Sequence, residues 1–388
     1  MSGNLADRVR LRLAGSAGDW DDSQLADATG RESQLLLDTV ALAELSGRLR
    51  AELIGAGPLE PLLAEPGVTD VLVNSADQVW VDRGGGLERS PVRFDTDADV
   101  RRLAVRLAAQ AGRRLDDAAP YVDAALADGV RLHAILPPLV AHPTVSLRVL
   151  GRRRLGLSDL LAFGALGEEL AALLTTIVQA RLSLLISGGT GTGKTSLLAA
   201  LLASAQPADR IVTIEDAAEL SIDHPHVVAL LARSANLERA GAVELAELVR
   251  QALRMRADRL VVGEFRGAEI VELLAALNTG HAGGAATVHA NSVSDVPARL
   301  VALAALGGMS PATLAAQAAS ALDVLVHIRR DQHGLRRVEQ LALWPSRDEP
   351  PATWLVWTRI GGLGPAAPIL RARLLEAAVA VPALLERA

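Results

Sequence analysis

The alternation of apolar and polar positions divides the chain into two regions with different periodicity. Up to about residue 150, short period-two runs at 69–74, 78–82, 129–136 and 144–149 predict β-strands around an amphipathic helix at 98–110. Farther along, apolar runs of strand length alternate with helical patterns, which indicates a mostly parallel sheet covered by helices on both faces. The pattern therefore predicts a small α+β domain followed by an α/β domain.

The second region contains a long series of predicted elements. We expect helices at 158–180, 194–204, 243–256 and 267–279, and strands at 182–187, 211–215, 227–232, 259–263 and 285–289. Beyond residue 295 we expect two Ala/Leu-rich helices, strands at 324–329, 337–343 and 353–358, and a final helix at 370–386.

Breaks in the pattern set the predicted domain boundaries. Apolar residues recur at helical spacing from Glu32 to Ile54, and the run ends at Gly55-Ala-Gly57-Pro58. Glycine and charge in Gly151-Arg-Arg-Arg-Leu-Gly156 are typical of a linker. We therefore predict a helical, partly flexible leader at 1–54, an α+β domain at 55–150, a linker at 151–157, and an α/β domain at 158–388 that ends in a helical and strand subdomain.

Composition narrows the function classes. The 388 residues exceed one typical compact core, and the 2% of aromatic residues leave few rings for stacking on bases. A net charge of −6 does not suit a protein whose main task is to grip a phosphate backbone, so nucleic acid is not the expected partner. The lack of cysteine excludes disulfides and thiolate-bound zinc. The start, Met1 to Arg8, has no apolar core of a secretion signal, and we predict a cytoplasmic protein.

The stretch Ile186-Ser-Gly-Gly-Thr-Gly-Thr-Gly-Lys-Thr195 is typical of a phosphate-binding loop. It follows an apolar strand-like run and leads into a helical pattern, which is the setting that G-x-x-x-x-G-K-T requires. Glycines let the backbone wrap around a polyphosphate, and the helix start adds positive potential. The predicted nucleotide-binding residues are Gly188, Gly189, Thr190, Gly191, Thr192, Gly193, Lys194, Thr195 and Ser196, with Lys194 at the phosphates and Thr195 at Mg²⁺. The alternative is a glycine-rich turn that matches by chance.

Two acidic groups follow predicted strands and are candidates for hydrolysis, which needs a carboxylate to orient water. They are Glu215 and Asp216 after the run from Ile211, and Glu264 after the run from Leu260. Gly263 occupies the position where a Walker B motif usually has aspartate, so we expect Mg²⁺ to draw on Glu264, Glu215 or Asp216 through water. The alternatives are a helix cap for Glu264 and a turn for the other two.

Histidine and arginine supply the remaining candidates. His281 lies in a glycine turn and His289 ends a predicted strand, and an imidazole there can donate to a phosphate oxygen and act as a sensor. Structural turn chemistry is the alternative for both. An arginine that reaches a neighbouring subunit would supply positive charge for hydrolysis, although a surface ion pair is the alternative for each one. The candidates are Arg233, Arg250, Arg254, Arg256, Arg259 and Arg266 in the second region, and Arg113, Arg114, Arg131 and Arg148 in the first.

Four motifs in a fixed order resemble the secretion ATPase superfamily that serves type II and type IV secretion, type IV pili and tight-adherence (Flp) pili. They are Gly188–Thr195, Thr213–Leu220, Leu253–Glu269 and Asn278–Ser292, which correspond to its Walker A motif, aspartate box, atypical Walker B motif and histidine box. Gly57-Pro-Leu-Glu-Pro-Leu-Leu63, Asp128-Gly-Val-Arg131 and Ser146-Leu-Arg148 extend the likeness over roughly residues 50–345. The lack of cysteine favours the tight-adherence branch over the branch with a four-cysteine zinc module.

The resemblance implies a fold, an activity and residue roles. It implies a PAS-like α+β domain followed by a RecA-like P-loop NTPase domain, assembled as a homo-hexamer that hydrolyses Mg²⁺-ATP. The motor would act on inner-membrane platform proteins from the cytoplasmic face of the membrane. The roles it implies are phosphate and metal binding by Lys194 and Thr195, catalysis by Glu264, assistance by Glu215 and Asp216, γ-phosphate sensing by His289, and nucleotide contact by Arg131 and Arg148.

Two other functions stay open at this point. A motor for DNA uptake or conjugative transfer shares the same core, and Arg152-Arg-Arg154 is a local basic run. A scaffold that binds ATP without hydrolysing it would be consistent with the missing Walker B aspartate. A GTPase is disfavoured because the chain has no Asn-Lys-x-Asp motif.

Overall fold

The computed structural model describes residues 5–14, 21–33, 38–126, 129–149, 154–233, 241–344 and 354–387. These residues form two compact units, Met1–Leu150 and Gly151–Ala388, and each unit has its own apolar core. Asp128, Arg152 and Arg153, which the sequence analysis singled out, lie outside the described residues.

The N-terminal unit begins with three helices that share a small apolar core around Val9, Leu25 and Leu49. They are α1 (Leu5–Ala14), α2 (Asp22–Ser33) and α3 (Thr39–Leu53). The predicted single helix from Glu32 was too long, because Asp38 caps a new helix and its carboxylate accepts the N–H of Ala41 at 2.8 Å. The two helices before α3 were not predicted.

The rest of the N-terminal unit is an antiparallel six-stranded sheet and its helices. The elements are α4 (Glu60–Ala64), β1 (Asp70–Ser75), β2 (Gln78–Asp82), β3 (Leu87–Arg89), α5 (Asp97–Gln110), β4 (Tyr121–Ala125), β5 (Val130–Ile135) and β6 (Thr144–Val149). The strand order is β3-β2-β1-β6-β5-β4. Val100, Leu103 and Leu107 of its long helix lie in the same apolar core as the inward residues of the sheet. The strands and helix predicted here are confirmed. β3 was missed because it is short and fully exposed, and β4, whose residues alternate between exposed and buried, was missed because Asp and Ala are disfavoured in strands.

The second unit is built on a nine-stranded sheet. The strands are β7 (Leu184–Ser187), β8 (Ile211–Glu215), β9 (Val227–Leu231), β10 (Arg259–Phe265), β11 (Ala285–Val288), β12 (Val324–Arg330), β13 (Arg336–Leu343), β14 (Trp354–Thr358) and β15 (Gly362–Leu363). Their order in the sheet is β15-β14-β13-β12-β7-β11-β10-β8-β9. The strands from β12 to β9 in this order are parallel, whereas β13, β14 and β15 extend the sheet in antiparallel fashion. The prediction of a mostly parallel sheet is confirmed.

Helices cover both faces of this sheet. Leu184 and Ile186 of β7 belong to one apolar core and Leu185 belongs to the other, so the strand is buried on both sides. The helices are α6 (Leu157–Ala162), α7 (Glu168–Gln179), α8 (Lys194–Leu202), α9 (Leu245–Ala252), α10 (Glu269–Leu277), α11 (Val296–Leu306), α12 (Pro311–Ala321), α13 (Ala367–Glu376) and α14 (Ala383–Glu386). Within the described ranges no single helix has the length and apolar composition to span a membrane, although the bent pair Val293–Leu306 and Pro311–Ala321 passes by those two criteria together.

Two predicted long helices are each divided in the structure. The helix expected at 158–180 stops before Gly164, whose φ of +67° is left-handed, and resumes as α7. The helix expected at 370–386 becomes α13 and α14. Pro382 separates these helices, with ψ 149° ahead of α14. Apolar spacing alone did not reveal either break, because the periodicity continues across both.

Candidate functional site

The candidate site lies where parallel strands of the second unit end at one edge of the sheet. Ser187 of β7 and Phe265 of β10 both pair with Val288 of β11, and β8 ends beside them at Glu215. The pairing of β10 with β11 shifts register between Val262 and Phe265, and such a bulge re-aims the side chains within it. Ligands of open α/β sheets lie beyond this carboxyl edge.

The glycine loop between β7 and α8 has a backbone conformation that residues with a side chain at the glycine positions would disfavour. A Cβ at Gly188 would lie 2.4 Å from the carbonyl oxygen of Ile328, and Gly191 and Gly193 have φ values of +69° and +93°. The hydroxyl of Thr192 donates to the carbonyl of Gly189 at 2.9 Å and closes the loop on itself. The predicted strand, loop and helix start are therefore present. The half-buried residues Thr195 and Ser196 lie in the first turn of α8.

Lys194 folds back across this loop. Its side chain is only 7% exposed, and its Nζ donates to the carbonyl of Gly189 at 3.0 Å. The same Nζ lies 3.3 Å from Nδ1 of His289 and 3.7 Å from Oε1 of Glu264. Burial lowers the pKa of Lys194, and Glu264 opposes that shift. The ammonium group is thus removed from water and held by partners that only partly replace hydration.

The Glu264 carboxylate sits among three cationic or polar side chains. Besides Lys194, the guanidinium of Arg266 donates its Nε to Oε2 at 2.6 Å, and Nε2 of His289 lies 2.7 Å from Oε1. The alternative role of Glu264 was to cap the following helix. Glu269 has that role instead, because its Oε1 accepts the N–H groups of Arg266 and Gly267. Glu264 is therefore left to face the phosphate loop.

The contacts of His289 assign its tautomer. Lys194 can only donate, so Nδ1 of His289 accepts, and the proton on Nε2 is donated to Glu264. Burial and then Lys194 lower the pKa of His289, which is consistent with a neutral ring. A neutral imidazole with one donor and one acceptor links the lysine to the carboxylate.

Glu215 is the most deeply buried of the acidic candidates, at 4% exposure. Burial raises its pKa to about 7, although its Oε1 accepts the N–H groups of Glu219 and Leu220 at 3.1 and 2.8 Å. These bonds shape the turn after β8, so Glu215 also has the structural role in a turn that was its alternative. Asp216 is 40% exposed and its Oδ2 lies 3.8 Å from Arg266.

Packing against Glu215 explains the missing Walker B aspartate. A Cβ at Gly263 would lie 2.9 Å from Cγ and 3.2 Å from Oε1 of Glu215, so the neighbouring strand already fills the space of a side chain. The hydroxyl of Thr287 donates to the Gly263 carbonyl at 2.7 Å and fixes this segment from the other side. Glycine is the residue that this close approach allows.

His281 is not brought to the site. It precedes β11, whose first residue Ala285 pairs with Leu184 at the amino end of β7, on the sheet edge opposite the phosphate loop. Its Nδ1 lies 3.3 Å from the carbonyl of Ala276 at the end of α10. The expectation that His281 acts at the site is therefore corrected: its surroundings are those of the turn that the sequence analysis gave as the alternative.

The predicted arginines have separate surroundings. Arg131 and Arg148 are cross-strand neighbours on β5 and β6 of the N-terminal unit, and Arg148 donates to Asp70 at 2.9 Å. In the second unit, Arg250 pairs with Glu247 and Glu272 at the surface, and Arg259 is buried against Asp209. Of the arginines predicted there, Arg266 contacts the site residue Glu264.

Two residues that the sequence analysis did not select also border the phosphate loop. Nε of Arg336 donates to the carbonyl of Gly191 at 2.9 Å. His327 is buried, its Nδ1 lies 3.0 Å from Oγ of Ser187, and burial lowers its pKa. Both lie about 140 residues beyond the loop in sequence, on strands with no local functional motif. The paired arginines on either side of the turn at 331–335 were the one available signal.

Comparisons with known proteins show the family of this chain. The profile of the type II/IV secretion system protein family matches residues 52–337. A putative conjugal transfer protein of Mycobacterium tuberculosis (strain H37Rv) is 54% identical over 330 residues, covering 83% of this chain and 94% of that protein. The type IV secretion system protein PtlH of Bordetella pertussis is 33% identical over 325 residues, covering 76% of this chain and 94% of PtlH.

The fold is also found among solved structures. The pilus retraction motor PilT, solved with bound ADP, has a TM-score of 0.51 at 18% identity, covering 74% of this chain and 83% of PilT. The family profile covers more than half of the chain and the relatives align over most of their length. The chain therefore belongs to the type II/IV secretion system protein family.

Proposed function

We propose that this chain is a Mg²⁺-dependent ATPase that drives a secretion or pilus-assembly machine. The observation that carries the proposal is the convergence of Lys194, Glu264 and His289, from three different strand ends, beside the glycine loop. In the same proposal the second unit is a RecA-like domain, the N-terminal sheet is PAS-like, and the subunits form a hexamer. The assembly works at the inner face of the cytoplasmic membrane with platform proteins.

The residues of the loop fit a nucleotide. The loop has left-handed glycines and an α-helix start directly after it, and Lys194 is a nearly buried ammonium group whose closest partner is a neutral carbonyl. An anion at this position would compensate the lost hydration of the amine. ATP supplies the transferable phosphoryl group, and Mg²⁺ offsets its charge. We propose that Thr195 holds the metal, with Glu264 and Glu215 assisting through water.

Glu264 is proposed as the residue that orients the attacking water and accepts its proton. Arg266 and His289 fix the carboxylate from two directions, so its position does not depend on solvent. His289 can exchange its Glu264 contact for a phosphate oxygen without changing its protonation, because the neutral ring already carries a proton on Nε2. This exchange is the proposed basis of sensing.

A Glu264→Gln substitution tests the assignment. The amide keeps the shape of the side chain and weakens its contact with Arg266, but it cannot accept a proton. We therefore expect kcat to fall by about 10² to 10⁴-fold while ATP binding persists. Phosphate release and nucleotide binding are measured on the same preparation. Glu272→Gln, a surface carboxylate bound to Arg250, is the matched control and is expected to keep full turnover. Full turnover in Glu264→Gln would contradict the role of Glu264, and phosphate release by the wild type would eliminate the non-hydrolysing scaffold.

The machine that this motor serves has two candidates. The tight-adherence pilus remains a prediction of the resemblance. The relative at 54% identity is named a putative conjugal transfer protein, which favours a motor of conjugative transfer as the second candidate. Adding DNA to the phosphate-release assay separates the two, because a DNA motor should be stimulated in a manner that weakens steeply with salt. No effect of DNA would favour pilus assembly or protein secretion.

A further inference from the structure

The hairpin formed by β12 and β13 supports the phosphate loop from behind. The Ile328 carbonyl and side chain lie where a side chain of Gly188 would be, and a Cβ at Gly193 would lie 3.3 Å from Cδ of Arg336. The pairing of the two strands shifts register between His327 and Ile328, so β12 is irregular where it passes the loop. The hairpin and the loop are therefore one packed unit at this point.

Arg336 fixes the orientation of one peptide in the loop. Its Nε donates to the carbonyl of Gly191 at 2.9 Å. In a trans peptide the carbonyl and the next N–H point to opposite sides, so the N–H of Thr192 points away from the guanidinium. Gly191 has a left-handed φ of +69° and no side chain to limit rotation of this peptide, so an external contact has a large effect on its direction.

Arg336 also adds positive charge beside the loop. It lies directly opposite Arg330 in the hairpin register. Its side chain passes beside Gly193, the N-cap of α8, where the helix dipole is positive. The hairpin and the helix start thus both present positive charge at the end of the loop where a polyphosphate would bind.

We propose that Arg336 is a positioning residue for nucleotide binding: it holds the Gly191–Thr192 peptide so that the Thr192 N–H faces the phosphates. This inference rests on the proposed ATPase function. It places part of the phosphate site on the C-terminal hairpin, about 145 residues beyond the loop. Motion of that hairpin would then change nucleotide affinity directly.

The test compares R336A with R329A. Arg329 is exposed and lies opposite Arg337, on the other face of the same hairpin, so R329A removes the same charge without touching the loop. We expect R336A to raise the Kd for ADP and the KM for Mg²⁺-ATP roughly three- to tenfold, with kcat changed less than KM, because one hydrogen bond is lost. R336K should recover part of the affinity, and R329A should match the wild type.

The outcomes distinguish the inference from the proposed function. Unchanged ADP and ATP affinity in R336A, or an equal loss in R329A, would overturn the role of Arg336. A wild-type protein that binds no ADP and releases no phosphate would instead overturn the proposed function. If R336A does not fold, R336Q and R336K are measured against R329A by the same criteria. Faster hydrogen exchange of the Thr192 amide in the ADP-bound variant than in the ADP-bound wild type is expected, and an unchanged rate would count against the proposal.

Discussion

The two edges of the parallel sheet in the second unit both contain a buried cation, but the two cations have different partners. At the amino edge, Arg259 is 1% exposed and donates to the Asp209 carboxylate at 2.8 Å and to the Val178 carbonyl at 2.9 Å. At the carboxyl edge, Lys194 is 7% exposed, and its nearest carboxylate, Glu264, is 3.7 Å away. Burial lowers the pKa of both cations.

The difference distinguishes a cation that is satisfied within the fold from one that we propose binds a ligand. Asp209 accepts from Arg259 and also from Arg181, so the amino edge holds a closed network that joins the starts of several strands. Lys194 shares Glu264 with Arg266 and His289, and its closest bond is to a carbonyl. A cation that is fully satisfied within the protein stabilises the fold. A cation that is buried with loose partners has interaction energy left for a ligand.

Breaking the amino-edge network should have the largest effect on stability. Arg259→Met keeps the apolar stem but leaves the buried Asp209 with the partly exposed Arg181 as its remaining cation. Removal of one partner of a buried pair is expected to lower the free energy of unfolding by about 3–5 kcal/mol. Denaturant unfolding measures this change, and it should exceed that of Arg250→Met, which removes a surface arginine.

Lys194→Met is the matched change at the carboxyl edge. Glu264 keeps Arg266 and His289 in this variant, and the apolar side chain removes the cost of burying an ammonium group, so the free energy of unfolding should change by about 1 kcal/mol or less, while nucleotide affinity falls severely. Equal destabilisation by the two methionine variants would remove the distinction between the edges. It would show that Lys194 is as structural as Arg259.

Sequence patterns predicted the carboxyl edge better than the packing behind it. The phosphate loop is a contiguous motif, and Glu264 and His289 each follow an apolar run, so strand direction alone places them at one edge. The contact of Arg336 with Gly191 depends on β12 being the neighbour of β7, and the order of strands in a sheet is not contained in local periodicity. For the same reason, the sequence showed Gly263 only as a departure from the Walker B motif. It did not show that a side chain at this position would collide with Glu215.

Gly263→Ala tests whether close packing at the carboxyl edge contributes as much to the free energy of unfolding as the ion network at the amino edge. The added Cβ would meet Cγ of Glu215 at 2.9 Å, in a region held on the other side by Thr287. We expect a loss of about 2–3 kcal/mol in the free energy of unfolding, the upper part of the range for overpacked cores. In the double variant Gly263→Ala with Glu215→Ala the two losses should be less than additive, because the clash is gone. Additive losses would mean that the alanine is accommodated without contact with Glu215.

Glu215 offers a third way of burying an ionisable group, and pH distinguishes it from the other two. Burial raises its pKa from 4.5 to about 7, so between these values the unfolded chain loses a proton that the folded chain keeps. The unfolded state then binds fewer protons, and the contribution of Glu215 to stability falls as pH rises, by at most about 1.4 kcal/mol per pH unit. Above pH 7 Glu215 is ionised in both states, and its contribution to stability no longer changes with pH.

Glu215→Gln keeps an oxygen that accepts the Glu219 and Leu220 N–H groups but cannot titrate. The difference in unfolding free energy between wild type and Glu215→Gln, measured by urea at pH values from 5 to 8, should therefore shift against the wild type up to pH 7 and then level off. A pH-independent difference would mean that the Glu215 carboxylate is already ionised in the fold, and that the carboxyl edge stabilises its buried charges as completely as the amino edge does.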